Sequence, residues 1–222
     1  MLSLKSRSLS GFFYFYMFEE IDAIIFDLGG VFIHIDYLAT IEAFEKIGFT
    51  QASSLYSQSE QAELFQQYEI GLVSTQHFIN KLLPLSSSII TPNQVVQAWN
   101  AMIGTVEIKS IELLNELKGK TRLFMLSNTN ELHLELVIRE WNKVSKMPME
   151  YYFEKIHVSH ELGMRKPHPE TFTKVCDLHG LNPQKTLFID DSIQHIEGAQ
   201  KSGLRTIHLK SITDLANVLA TL

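Results

Sequence analysis

The sequence predicts an α/β fold, a doubly wound parallel sheet with an all-helical segment inserted after its first strand. Three observations carry this. Short apolar runs with β-branched or aromatic residues recur at residues 24–26, 122–126 and 186–189, the pattern of strands buried on both faces. Helical periodicity separates such runs in the second half of the chain, and strand–helix alternation builds a parallel sheet covered on both sides. From Asp36 to about Glu107, by contrast, helical spacing recurs and no strand pattern persists.

The first run, Ile24-Ile25-Phe26, ends abruptly in Asp27-Leu28-Gly29-Gly30-Val31. That puts a carboxylate at the carboxyl end of a central strand, where open α/β sheets bind ligands. The glycines let the backbone turn sharply and approach a bound group. Taken alone, Asp27 reads equally well as a turn former. In the inserted segment Tyr37, Ile41, Phe44 and Ile47 mark a helix closed by Gly48, and Ala62, Phe65 and Tyr68 a second that stops near Gly71. Ser74 or Thr75 caps a third, with Phe78, Leu82 and Leu83. Thr91-Pro92, a cap followed by proline at the first helical position, opens a fourth with Val95, Val96, Trp99 and Met102.

Next comes a helix with Ile111, Leu114 and Leu117, ended by Gly119, and then the strand of residues 122–126, broken by Ser127-Asn128-Thr129-Asn130. A helix over 132–144, a shorter strand over 153–158 and a helix over 168–179 stopped by Gly180 follow. The strand of residues 186–189 runs into Asp190-Asp191; a helix over 193–202, a last strand over 205–209 and an amphipathic helix over 212–222 complete the pattern.

The net charge of −6 argues against a nucleic-acid partner and means that an anionic substrate needs local positive charge or a metal ion. A lone Cys176 on an apolar helix face reads as a small buried hydrophobe and fits a reducing, cytoplasmic setting. No run approaches the ~20 apolar residues of a membrane span. Residues 1–16 read as a dispensable extension, with Met17 at a natural distance before the first strand. The expected division is therefore a core of residues 17–35 and 108–222 with a helical domain of residues 36–107. A monomer or weak homodimer is expected.

Asp27, Ser127, Lys166 and the pair Asp190-Asp191 all fall at strand ends or adjoining loops, which converge on one edge of a parallel sheet. As a set they suit phosphoryl transfer. A carboxylate attacks phosphorus and becomes an acyl phosphate. Acidic ligands bind Mg²⁺, which offsets the repulsion between two anions. A hydroxyl and an ammonium take the remaining phosphoryl oxygens.

The runs Asp27-Leu28-Gly29-Gly30-Val31, Leu126-Ser127-Asn128, Lys166-Pro167 and Phe188-Ile189-Asp190-Asp191 resemble, in order, the four motifs of the haloacid dehalogenase superfamily. The helical insertion resembles that superfamily's small cap, and the likeness implies a Rossmann-like core. Leu162-Gly163-Met164-Arg165-Lys166-Pro167 and Ile196-Glu197-Gly198-Ala199 are similar to a bacterial sugar-phosphate phosphatase subgroup that includes α-glucose-1-phosphate phosphatase. The resemblance implies a Mg²⁺-dependent phosphatase of small phosphomonoesters, with Asp27 as nucleophile and metal ligand and the Gly29 carbonyl as a second ligand. It further implies Ser127 and the Asn128 amide on the phosphate and Lys166 between Asp27 and the phosphoryl group. Asp191 is the expected direct metal ligand, with Asp190 direct or through water.

One departure stands out. The superfamily's phosphatases usually carry a second Asp as general acid two residues after the nucleophile, where this chain has Gly29. Sugar 1-phosphates and aryl phosphates, with stabilised leaving groups, are then the expected better substrates. His34 and Asp36 read more simply as a strand-edge histidine and a helix cap, and Glu69 and His77 are further candidates on the helical segment. The alternatives are a hydrolytic 2-haloacid dehalogenase, which also lacks the second Asp, a non-catalytic binding protein, and a receiver-like domain. In a receiver the acidic pair would come at the first strand, not the last.

Overall fold

The computed structural model describes residues 21–50, 52–55 and 63–219. The expected N-terminal extension, Met17 and Ala62 lie outside these residues. The described strands are β1 (Ala23–Phe26), β2 (Ile33–Ile35), β3 (Ile103–Val106), β4 (Arg122–Ser127), β5 (Lys155–Val158), β6 (Thr186–Asp190) and β7 (Arg205–His208). Five of them make one parallel sheet in the order β5-β4-β1-β6-β7, with β1 at its centre, Ile25 paired to Phe124 on one side and to Phe188 on the other.

The three central strands are apolar over Ala23–Phe26 and over residues 123–126 and 187–189 because both faces are covered there. Ile24, Phe26, Leu123, Met125, Leu187 and Ile189 point into one cluster, and Ala23, Ile25, Phe124, Leu126 and Phe188 into the other. The first face is closed by α6 (Ile108–Leu117), α7 (Glu131–Val144) and α11 (Leu215–Leu219), through Ile111, Val137, Trp141 and Leu215. The second is closed by α9 (Pro169–His179) and α10 (Ile193–Lys201), through Phe172, Val175 and Ile196. Cys176 is buried there, and burial pushes its thiol up to about 11. Among the described residues no helix is long and apolar enough to cross a membrane.

The inserted segment contains α1 (Tyr37–Lys46), α2 (Ala52–Leu55), α3 (Glu63–Glu69), α4 (Thr75–Leu82) and α5 (Pro92–Asn100), packed around Phe44, Phe65, Phe78 and Trp99. Tyr68 stacks on Phe78 at 4.2 Å. The inserted segment is helical as expected up to Asn100, and the expected absence of strand from Asp36 to about Glu107 is corrected only at its end: β3 pairs antiparallel with β2, Ile33 opposite Val106 and Ile35 opposite Ile103. The two strands, of three and four residues, are too short to show a period, and Gly104 lowers the strand propensity of β3. The expected caps at Ser74 and Thr91 are present, the latter a full capping box with Gln94. The C-terminal segment opens as a 3₁₀ turn over Ile212–Asp214 before α11.

Helix α7 ties the insertion to the sheet through a buried polar cluster. Its cap Asn130 accepts at Oδ1 from the His133 amide and from Trp99 Nε1, and His133 stacks on Trp99 at 4.7 Å. Because the Trp99 carbonyl can only accept, His133 Nε2 carries the proton, leaving Nδ1 to accept from Asn130 Nδ2. A second proton would find no acceptor. Burial accordingly lowers this imidazole to about 4. Its unfolded value is near 6.5, so the unfolded chain takes up the proton first, and stability is lost as pH falls from 6.5 toward 4. Between pH 7.5 and 5 the loss is about 2 kcal/mol for this one group. In urea unfolding, His133→Gln should be less stable at pH 7.5 yet decline less steeply toward pH 5. An unchanged slope would show that His133 is not the group responsible.

Candidate active site

The carboxyl ends of β1, β4 and β6 bring the expected residues together. Asp27 follows β1 directly, and its amide donates to the Ile189 carbonyl at 2.9 Å, holding the acid beside the end of β6. Ser127 ends β4, Asp190 ends β6, and all three are buried. Lys166 joins them from the loop after α8 (Ser159–Leu162). This lysine is wholly buried, with Nζ 2.7 Å from Asp27 Oδ1 and 2.7 Å from Asp190 Oδ2.

Asn128 sets the lysine there. Its side chain accepts from the Lys166 amide and donates to the Lys166 carbonyl, both at 2.9 Å, a two-point clamp on the backbone. The Asn128 side chain is thereby occupied with Lys166. Asp190 is equally committed: Oδ1 accepts from the Ser192 amide at 2.7 Å, and His195 Nδ1 lies 2.9 Å from Oδ2. Asp191 instead lines the cleft, packed against Gly30. Gly30 has φ +68°, and a Cβ there would lie 2.2 Å from Asp191 Oδ2, so only glycine serves.

The electrostatics follow from this crowding. Burial would lower the Lys166 ammonium, but Asp190 and Asp27 outweigh it and hold it above the usual lysine range. Burial would raise Asp190, yet Lys166 and His195 keep it down at about 2. Burial raises Asp27 despite Lys166, and burial with the charges of Asp27 and Asp190 pushes Asp191 up to about 7. Three carboxylates share one buried ammonium. This donor set suits a hard divalent cation.

A cleft open to solvent leads to Asp27, with Lys166 and Asp190 fully buried behind it; Gly29, Ser127, Asn128 and Asp191 line the cleft, together with Tyr37, Glu69, His133, Arg165 and His195. The sequence reading passed over four of these. Arg165 adjoins Lys166, and His195 sits in the first turn of the helix that follows β6, so both could have been found by following the motifs outward. Tyr37 and His133 carry no local signal. Ligand atoms of Asp27, Asp190 and His195 lie within 4.8 Å of one another. Asp190 is already engaged by Lys166 and the Ser192 amide, so Asp191 has more to offer a metal than that trio suggests. His34 lies on β2, 3.7 Å from Glu107, and Asp36 caps α1 by accepting from the Leu38 and Ala39 amides. His77 is exposed on α4. Of the two helical-segment candidates only Glu69 reaches the cleft.

A family model described as haloacid dehalogenase-like hydrolase matches residues 21–203. The chain belongs to this family. Being a haloacid dehalogenase-like hydrolase, it is similar to D-ribitol-5-phosphate phosphatase of Bacteroides thetaiotaomicron, with 28% identity over 191 residues, 86% of this chain and 93% of the relative. It is also similar to a haloacid dehalogenase-family enzyme of the same organism solved with magnesium and inorganic phosphate. That likeness has a TM-score of 0.79 and 33% identity, over 86% of this chain and 95% of the other. L-2-haloacid dehalogenase of Xanthobacter autotrophicus shares the fold alone, at 17% identity and TM-score 0.54 over 85% of this chain and 77% of the other. The family resemblance drawn from the motifs holds. The finer likeness to an α-glucose-1-phosphate phosphatase subgroup gains no specific support from a relative named for ribitol 5-phosphate.

Proposed function

We propose that this hydrolase is a Mg²⁺-dependent phosphatase of small sugar or polyol phosphomonoesters, acting through an aspartyl phosphate on Asp27, with residues 36–107 as a cap over the cleft. The observation that carries this is Asp27 held 2.7 Å from a fully buried ammonium at the floor of the cleft. Asp27 attacks phosphorus as the bond to the leaving oxygen breaks, and water then hydrolyses the acyl phosphate. Ser127 and the Asn128 amide hold phosphoryl oxygens, and Lys166 neutralises charge between nucleophile and phosphate. Asp190 positions Lys166. Asp27, Asp191 and the Gly29 carbonyl would hold Mg²⁺, with Asp190 a further ligand directly or through water. The ion would supply charge neutralisation for two approaching anions. Further support comes from the magnesium and phosphate bound by the similar enzyme.

The relative's substrate is a primary alkyl phosphate, so leaving-group stabilisation, the criterion suggested by Gly29, ranks second here to polyol recognition. The monophosphate of an otherwise uncharged polyol is the proposed substrate, and a cytoplasmic monomer or weak homodimer the proposed setting. The test is a screen of ribitol 5-phosphate, glucose 1-phosphate, glucose 6-phosphate and a 2-haloacid. Turnover of phosphate esters should vanish with EDTA and return with Mg²⁺. Metal-independent release of halide would select the dehalogenase instead.

A further inference from the structure

The cleft contains an ion pair that the chemistry at Asp27 leaves unused. Glu69 ends α3, Arg165 precedes Lys166, and Arg165 Nη2 lies 3.2 Å from Glu69 Oε2, with both residues lining the cleft. Each is rigidly placed. The Glu69 carbonyl accepts from Ser159 Oγ at 2.6 Å, and that hydroxyl accepts from the Thr129 amide, which follows directly on the Ser127-Asn128 run. The Arg165 carbonyl accepts from Thr171 Oγ1 at 2.9 Å, and the next amide is clamped by Asn128. The phenol of Tyr37, on the same cleft, is raised by burial and by the charges of Asp191, Asp27 and Glu69 together. Glu69 and Arg165 thus face the same cleft as Asp27.

We infer that the Glu69–Arg165 pair is a specificity element that admits phosphomonoesters with an uncharged, hydroxyl-bearing far end and rejects those ending in a carboxylate or second phosphate. The inference rests on the phosphatase reading and narrows its substrate class. A hydroxyl both donates and accepts, so it can bridge a carboxylate and a guanidinium without changing the charge of either. An incoming carboxylate must share Arg165 with Glu69, placing two like charges on one partner in a partly desolvated site. Specificity here comes from a built-in repulsion as much as from attraction. Glu69→Gln keeps the size and removes the repulsion, leaving Arg165 to pair with the newcomer.

The probes are glycerol 3-phosphate and 3-phosphoglycerate, which differ at the far end by hydroxyl against carboxylate. Calorimetric titration in Mg²⁺ on an Asp27→Asn background, where bound ester is not consumed, gives both dissociation constants. With Glu69 present, glycerol 3-phosphate should bind at least tenfold more tightly. Adding Glu69→Gln should shrink that ratio tenfold or more. Because the readout is a ratio within one variant, a general loosening of the site does not move it. A ratio unchanged within twofold by Glu69→Gln, or equal binding with Glu69 present, overturns the inference. Turnover of p-nitrophenyl phosphate by the unaltered protein tests the phosphatase reading separately. Failure there with the affinity ratio as expected would remove the reaction and leave the selective wall.

Discussion

Asp27→Asn is expected to abolish hydrolysis of p-nitrophenyl phosphate, by roughly 10⁴-fold or more, while leaving the fold intact. Replacing a nucleophile removes the covalent route altogether, and the site's remaining groups do not act independently of it. The fold should survive because the substitution keeps the shape of the side chain, and the Asp27 amide still donates to the Ile189 carbonyl. Lys166, fully buried, retains Asp190 at 2.7 Å, so the ammonium is not stranded without a counter-charge. Circular dichroism and unfolding midpoints should therefore stay close to wild type. Residual turnover above a tenth of wild type would mean that Asp27 is not the nucleophile, and direct attack by water would have to be considered.

What the sequence made legible depends on how locally each feature is encoded. The sheet could be read because β1 is apolar throughout and the middles of β4 and β6 are unbroken apolar runs, each buried on both faces. Asp27, Ser127 and the Asp190-Asp191 pair could be read because each sits where such a run stops, and Lys166 only through the motif around it. The β2–β3 ribbon could not: its pairing joins residues about 70 apart, and neither partner is long enough to alternate. The second task of Asn128, clamping Lys166 across 38 residues, is likewise a property of the folded backbone. The same holds for Glu69 and Arg165, which are 96 residues apart in sequence and become a pair only when α3 docks on the segment that starts at Ser159. His195 is different, because a first-turn residue of the helix after β6 points back at the strand end, and its spacing from Asp190 carried that information.

Lys166→Met should both remove activity and destabilise the metal-free protein by about 3–5 kcal/mol, because it strands buried carboxylates without their cation. In wild type Nζ lies between Asp27 and Asp190, and Asp190 is too deeply buried for water to replace it. Methionine fills much of the same volume, so the loss is mainly electrostatic rather than a cavity effect. The distinguishing experiment is a thermodynamic cycle in EDTA with Lys166→Met, Asp190→Asn and the double variant. Asp190→Asn alone leaves Lys166 with Asp27. The double variant removes one cation and one anion, so it buries less uncompensated charge than Lys166→Met alone and should be more stable by about 1–3 kcal/mol. All three should lack phosphatase activity, which separates the catalytic loss from the structural one. Strictly additive stabilities would mean that the lysine contributes through packing, and the charge balance assigned to this site would then be wrong.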